Sequence, residues 1–172
     1  MTMGRPIWIF FVLCLLAAQA AQGLPSAGEP LAPFSARRLG DLQPVTSGQL
    51  LEGSAATLVS FFTTWCKPCE KEIPELLNLA KRFEAKGFRV VLVSLDQSEV
   101  EEIREFVAKV GAGGLPVVWD EDGELMYLYE VFSLPTNILV DRRGQVAMAW
   151  QGYLPEKLKE LEQRLEKLEA PR

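Results

Sequence analysis

The chain contains no histidine among its 172 residues. This absence excludes Ser/His/Asp and Cys/His catalytic triads, zinc sites with imidazole ligands and haem held by a histidine. Any proton transfer near neutral pH must therefore use a carboxylate, a thiol, a lysine or water.

The sequence also lacks a basic run and has little cysteine. Its formal net charge is −5, and its 18 Lys and Arg are outnumbered by 23 Asp and Glu. Nucleic-acid-binding proteins usually carry a basic patch, so no nucleic-acid partner is expected. The three cysteines are Cys14, Cys66 and Cys69. A chain of this length buries enough surface to fold without a disulfide scaffold or a structural metal, and no cofactor or metal is predicted.

The first 23 residues differ from the rest of the chain. Arg5 precedes an apolar run over 7–18, and Ala18-Gln19-Ala20 ends it. A short positive region, an apolar core of about a dozen residues and an A-x-A site are typical of a secretory signal peptide. A transmembrane helix needs about 20 apolar residues. We predict a signal peptide over 1–23, with an uncleaved N-terminal membrane anchor as the alternative, and hence a periplasmic or other extracytoplasmic location.

Two further segments follow the signal. Residues 24–33 are rich in proline, glycine, alanine and serine, which predicts a flexible leader. Residues 34–172 show no internal repeat and no sign of a second domain. They are predicted to form one domain and to act as a monomer.

Hydrophobic periodicity predicts an α/β domain with a central mixed β-sheet flanked by helices. Its strands are expected to be parallel first and antiparallel later. The predicted elements, in order, are a hairpin with a turn of helix (34–53), a strand (57–63), a helix (67–86), a strand (88–95), a helix (99–110), a short strand (115–119), a short helix (124–132), a hairpin of two strands (136–140 and 145–151) and a closing helix that begins at Pro155.

The motif Trp65-Cys66-Lys67-Pro68-Cys69 stands where the first buried strand passes into a helix. Two intervening residues let the sulfur atoms reach bonding distance within one turn. Cys66 falls at the helix N-terminus, where free backbone N–H groups and the helix dipole stabilise a thiolate. The pattern predicts a redox-active pair in which Cys66 attacks and Cys69 resolves.

The cysteine pair admits two other interpretations. A purely structural disulfide that closes so short a loop adds little stability. Half of a four-cysteine zinc site requires a second ligand pair, and the chain after the signal segment has none. Redox activity is therefore favoured.

Residues 57–69 resemble the active-site strand and motif of thioredoxin-fold proteins. The longer string W-C-K-P-C-E-K-E-I-P-E-L over 65–76 resembles the TlpA/ResA-like branch, which includes the periplasmic cytochrome c maturation thioredoxins. The likeness extends to S-L-P-T-N-I-L-V-D over 133–141, the cis-proline segment of that branch, and covers roughly 32–168. It implies a thioredoxin-like fold and thiol–disulfide exchange.

The resemblance also implies a substrate-binding surface. Pro135 matches the cis-proline that lies against the two sulfur atoms, and the backbone of Leu134, with Thr136 following in the same segment, would meet a substrate strand. Trp65 would cover the disulfide and contact substrate, although an aromatic side chain at this position can also serve only as packing.

Glu72 matches the acidic residue of the ResA-like pattern. It lies three residues after Cys69 and so shares a helix face with it, where a carboxylate can accept or return the Cys69 proton. The alternative is a solvated helix glutamate that pairs with a lysine. Ser60 stands where thioredoxin has a buried aspartate, which places more weight on Glu72.

The sequence thus predicts an enzyme, a protein-disulfide reductase that acts on exported proteins with disulfides, for example in cytochrome c maturation. A membrane-borne thiol reductase would supply the electrons. Two alternatives remain open at this point, namely a disulfide oxidase or isomerase, and a copper(I)-handling module that uses the two thiolates.

Overall fold

The computed structural model describes residues 24–97 and 99–169. Its elements, in chain order, are β1 (Ser35–Arg38), β2 (Pro44–Thr46), α1 (Ser47–Leu51), β3 (Ala56–Phe62), α2 (Lys67–Phe83), a 3₁₀ turn (Glu84–Lys86), β4 (Phe88–Ser94), α3 (Val100–Lys109), β5 (Val117–Trp119), α4 (Glu124–Leu128), β6 (Thr136–Asp141), β7 (Val146–Gln151) and α5 (Pro155–Glu166).

The seven strands form one mixed sheet in the order β2-β1-β5-β4-β3-β6-β7. β3, β4 and β5 run parallel to one another, and every other neighbouring pair is antiparallel. The fold confirms the predicted α/β class and the predicted change from parallel to antiparallel pairing along the chain.

Each face of the sheet has its own core. Strand side chains alternate between faces, so Leu58 and Phe62 of β3 pack under α2, α3 and α5. Val59 and Phe61 pack on the other face, beneath α4, α1 and the N-terminal segment. β3 is buried along its whole length because both of its faces are covered.

The short helix α4 ends earlier than the sequence pattern predicts. The N–H of Val131 donates to the Met126 carbonyl at 2.9 Å, and that of Glu130 to the Tyr127 carbonyl at 3.3 Å. Glu130 has φ of 45°, which completes the left-handed turn that often closes a helix. The chain therefore leaves α4 at Leu128 and turns towards the loop before β6.

The second half of the predicted leader over 24–33 contacts the sheet. Residues 28–31 hydrogen-bond to residues 144–146 at the start of β7, and Pro30 forms a bridge with Gln145. The hydroxyl of Tyr129 donates to the Ala32 carbonyl at 2.6 Å. Composition indicated turns here correctly, but it carries no information about the strand edge that these turns meet.

The predicted signal peptide or anchor over 1–23 lies outside the described residues. Within residues 24–97 and 99–169, none of the helices combines the length and the apolar character needed to cross a bilayer.

Candidate active site

Cys66 and Cys69 form a disulfide at the start of α2, with their Cα atoms 5.3 Å apart. Cys66 is the N-cap residue, and its Sγ accepts a hydrogen bond from the Cys69 N–H at 3.2 Å. A thiolate released at Cys66 by reduction would occupy the same position, where the first-turn N–H groups favour negative charge.

The two sulfur atoms differ in accessibility. Cys66 is 4% exposed, whereas Cys69 is fully buried. A substrate disulfide can therefore reach Cys66 first. This geometry agrees with Cys66 as the attacking residue and Cys69 as the resolving residue, and the two roles themselves stay predictions.

An open groove of about 590 Å³ lies beside the disulfide. Its lining includes Trp65, Cys66, Pro68, Met126, Phe132 and Leu134. Trp65 is 73% exposed and Phe132 is 82% exposed, so both aromatic rings stand free at the rim. The exposure of Trp65 argues against its alternative role as simple packing.

The loop before β6 meets the groove as the sequence resemblance implies. The Leu134–Pro135 peptide bond is cis, which confirms the expected conformation, and Leu134 lines the groove. Pro135 and Thr136 are buried. The Thr136 hydroxyl donates to the Ser133 carbonyl at 2.6 Å, so the Thr136 side chain holds the loop and is not among the groove's lining residues.

Glu72 is fully buried on the inner face of α2, which excludes the alternative of a solvated surface glutamate. The Nδ2 of Asn137 lies 3.1 Å from each of its carboxylate oxygens. Burial raises the pKa of Glu72 from 4.5 to about 7, the Asn137 hydrogen bonds oppose that rise, and the charge of Glu75 adds to it. A carboxyl group that titrates near neutrality suits proton exchange.

Asn137 is a residue that the sequence reasoning missed. It pairs with Ser60 across β3 and β6, and both residues are buried. The contact with Glu72 comes from Asn137, whereas the Ser60 hydroxyl has no hydrogen-bond partner within residues 24–97 and 99–169. The available signal was an asparagine, a residue type depleted in strands, within the predicted strand over 136–140 and two positions after Pro135.

Asp96 is a second residue that the sequence reasoning missed. This buried carboxylate accepts hydrogen bonds from the N–H and hydroxyl of Thr64 at 3.0 and 2.8 Å, and from the Ser94 hydroxyl at 2.7 Å. Thr64 immediately precedes the W-C-K-P-C motif, so Asp96 anchors the loop that presents Cys66. An aspartate directly after the predicted strand over 88–95 was the signal.

The lysine of the motif belongs to a small charged cluster at the surface. One Glu70 oxygen accepts from Lys67 at 2.9 Å and from Lys109 at 3.0 Å. The pKa of Glu70 is lowered most by the hydrogen bond from Lys67 and next by the hydrogen bond from Lys109. Lys67 is thus held along the flank of α2, next to Cys66.

No group of three or more Cys, Asp or Glu side chains suited to a metal ion occurs in the described part of the chain.

Several known proteins are similar to this chain in sequence. Thiol-disulfide oxidoreductase ResA of Bacillus subtilis (strain 168) is 32% identical over 117 residues, which cover 66% of this chain and 64% of ResA. Sporulation thiol-disulfide oxidoreductase A of the same organism is 32% identical over 106 residues, covering 60% of this chain and 64% of that protein. The chain therefore spans less than two thirds of the length of these curated relatives.

A solved structure is similar over more of its length. The crystal structure of a candidate thiol:disulfide interchange protein DsbE from Chlorobium tepidum matches with a TM-score of 0.73 and 30% identity, covering 83% of this chain and 97% of that one. This likeness confirms the predicted thioredoxin-like fold, and the relatives confirm the resemblance to the ResA-like branch. Residues 27–149, well over half of the sequence, match the model of the AhpC/TSA family, and the chain belongs to that family.

Proposed function

We propose that this protein is an extracytoplasmic thiol–disulfide oxidoreductase that reduces disulfides of exported proteins. The observation that carries the proposal is the Cys66–Cys69 disulfide at the N-terminus of α2, with Cys66 opening on an apolar groove and Cys69 buried behind it. The relatives ResA and sporulation thiol-disulfide oxidoreductase A, both thiol-disulfide oxidoreductases by name, support the same chemistry.

The reaction starts from the reduced pair. The Cys66 thiolate attacks one sulfur of the substrate disulfide, so that a mixed disulfide forms and the other substrate sulfur leaves as a thiolate. Cys69 then loses its proton and attacks the Cys66 sulfur, which releases the second substrate sulfur. Two electrons pass to the substrate, its two thiolates take up the proton released by Cys69 and one proton from solvent, and the pair ends as the disulfide seen in the structure.

Each residue of the site has a part in these steps. The N-terminus of α2 favours the Cys66 thiolate over the thiol, because its free N–H groups face the sulfur. Glu72 accepts the proton of Cys69, since it shares that helix face and its pKa lies at about 7. Leu134 offers its backbone to the substrate chain beside the attacked sulfur.

The residues that line the groove favour a protein as the substrate. Exposed aromatic side chains next to a reactive group are typical of surfaces that contact other proteins, and Trp65 and Phe132 line the same groove as Cys66. The signal segment supports export, and the ResA-like resemblance supports a reducing direction, with cytochrome c precursors as one candidate substrate. A membrane-borne thiol reductase would return the pair to its dithiol form.

Trapping of the mixed disulfide tests the assignment of the two cysteines. We expect Cys69→Ala to accumulate covalent adducts with a disulfide-bearing protein such as insulin, because Cys66 attacks and nothing resolves the adduct. Cys66→Ala is the matched control and should form none. Adducts on Cys66→Ala, with none on Cys69→Ala, would reverse the roles.

The direction of electron flow needs a separate measurement. Equilibration of the wild-type pair with glutathione buffers gives its reduction potential, and a reductase requires a value well below that of the oxidising compartment in which it works. A potential in the range of strong disulfide oxidants would refute the reducing function and favour the oxidase alternative.

A further inference from the structure

The contact between Asn137 and Glu72 joins two parts of the site. Asn137 belongs to β6, two residues after the cis peptide bond at Pro135, and Glu72 belongs to α2, one turn after Cys69. Both side chains are buried, and Nδ2 lies 3.1 Å from Oε1 and from Oε2. The Nδ2 atom of Asn137 is therefore within hydrogen-bonding distance of both carboxylate oxygens of Glu72.

This contact is the whole hydrogen-bonding environment that the protein gives Glu72 within residues 24–97 and 99–169. The Oδ1 of Asn137 has no protein partner in the same residues, so the amide is oriented by the carboxylate alone. Hydrogen bonds donated to a carboxylate favour its ionised form. Asn137 thus acts against burial, which favours the protonated form.

The other groups that face Glu72 do not take over this role. On α2, the charge of Glu75 disfavours ionisation of Glu72. In the loop after β7, the Tyr153 hydroxyl donates to Glu75 at 2.6 Å and is directed to that residue instead. The strands contribute Ser60 and Asn137, which do not titrate, and Cys69 lies one turn before Glu72 on the same helix.

We propose that Asn137 is a positioning residue that holds the Glu72 carboxylate against the inner face of α2 and sets the pH at which Glu72 takes the proton from Cys69. The inference rests on the proposed function and adds to it the group that controls its acid–base step. It also ties that step to the substrate-binding loop, since Asn137 and Pro135 lie on one continuous stretch of backbone.

Removal of the amide tests the proposal. In Asn137→Ala, burial acts on Glu72 without an opposing donor, so the midpoint of its titration should rise by about one pH unit or more. Two readouts follow that shift. The first is the Glu72 side-chain carbon signal in NMR spectra of the oxidised protein across pH. The second is the pH profile of single-turnover disulfide reduction, in which the rate at pH 7 should fall several-fold and recover at higher pH.

Two further variants make the result specific. Ser60→Ala removes a buried hydroxyl from the residue that pairs with Asn137 but does not touch Glu72, and it should leave the midpoint unchanged. Asn137→Thr keeps one donor on a side chain that suits a strand, and its midpoint should fall between those of the wild type and Asn137→Ala. If Asn137→Ala fails to fold, the comparison of Asn137→Thr with Ser60→Ala decides the question.

An unchanged midpoint in Asn137→Ala, or in Asn137→Thr where only that variant folds, would overturn the proposal, as would an equal shift in Ser60→Ala. The NMR titration needs no enzymatic activity. A protein that reduces no disulfide, yet shows the shifted Glu72 titration, would refute the proposed function and leave the Asn137–Glu72 linkage standing.

Discussion

Replacement of Glu72 by glutamine should change how the stability of the domain depends on pH. A buried carboxyl group with a raised pKa keeps its proton in the folded state at pH values where the unfolded chain has already lost it. The free energy of unfolding therefore falls as pH rises from the unfolded value of 4.5 to the folded value of about 7. Glu72→Gln is neutral throughout and lacks this loss.

The size of the effect follows from the shift. Each pKa unit corresponds to about 1.4 kcal/mol, so ionisation of Glu72 costs about 3 kcal/mol of unfolding free energy above pH 7. In a domain of this size 1 kcal/mol corresponds to roughly 2–4 °C in Tm. The Tm difference between Glu72→Gln and the wild type should thus be roughly 6–12 °C more in favour of the variant at pH 8 than at pH 4.5.

Thermal unfolding of the oxidised proteins, followed by circular dichroism at several pH values, measures this difference. Glu105→Gln is a matched control, because Glu105 is an exposed glutamate on α3 and its replacement should give a difference that varies little with pH. If the Tm values of Glu72→Gln and the wild type change with pH in parallel between pH 4.5 and 8, Glu72 is not a buried carboxyl group with a raised pKa.

Three other predictions concern activity, backbone conformation and export. Glu72→Gln should slow disulfide exchange by roughly tenfold or more through loss of the proton acceptor, and identical pH–rate profiles for variant and wild type would show that Glu72 takes no part. Glu130→Gly should raise the unfolding free energy by about 0.5–1 kcal/mol, because φ of 45° is strained for a residue with a Cβ, whereas Glu124→Gly within α4 should lower it in the same denaturation experiment. A fusion of the first 25 or so residues should carry a reporter enzyme out of the cytoplasm, and recovery of the full-length protein from the cytoplasm with its N-terminus intact would contradict the export prediction.

The parts of the structure that sequence patterns predicted well depend on local or repeated signals. β3 and β4 are largely apolar on both faces, so their sequences predict buried strands. The cysteine spacing alone predicts where α2 begins. The cis bond before Pro135 was expected only through the family resemblance, because an isolated X-Pro sequence gives no such information.

The features that sequence patterns missed depend on contacts between distant parts of the chain. Asn137 is 65 residues from Glu72, and neither periodicity nor composition pairs a strand amide with a helix carboxylate. The second half of the leader has turn-forming residues, yet its conformation is fixed by β7, more than a hundred residues further along. The early end of α4 depends on left-handed backbone at Glu130, a residue type that does not usually mark this position.

The pairing of residues 28–31 with β7 also bears on self-association. A strand at the border of a sheet exposes unpaired backbone groups to which another molecule can add its own strand. Here the N-terminal segment covers the start of one border strand. The other border strand, β2, has only three residues and begins with Pro44, which has no N–H to donate. Removal of residues 24–33 would uncover Gln145 and Val146 at the start of this border strand and should favour the addition of a strand from another molecule.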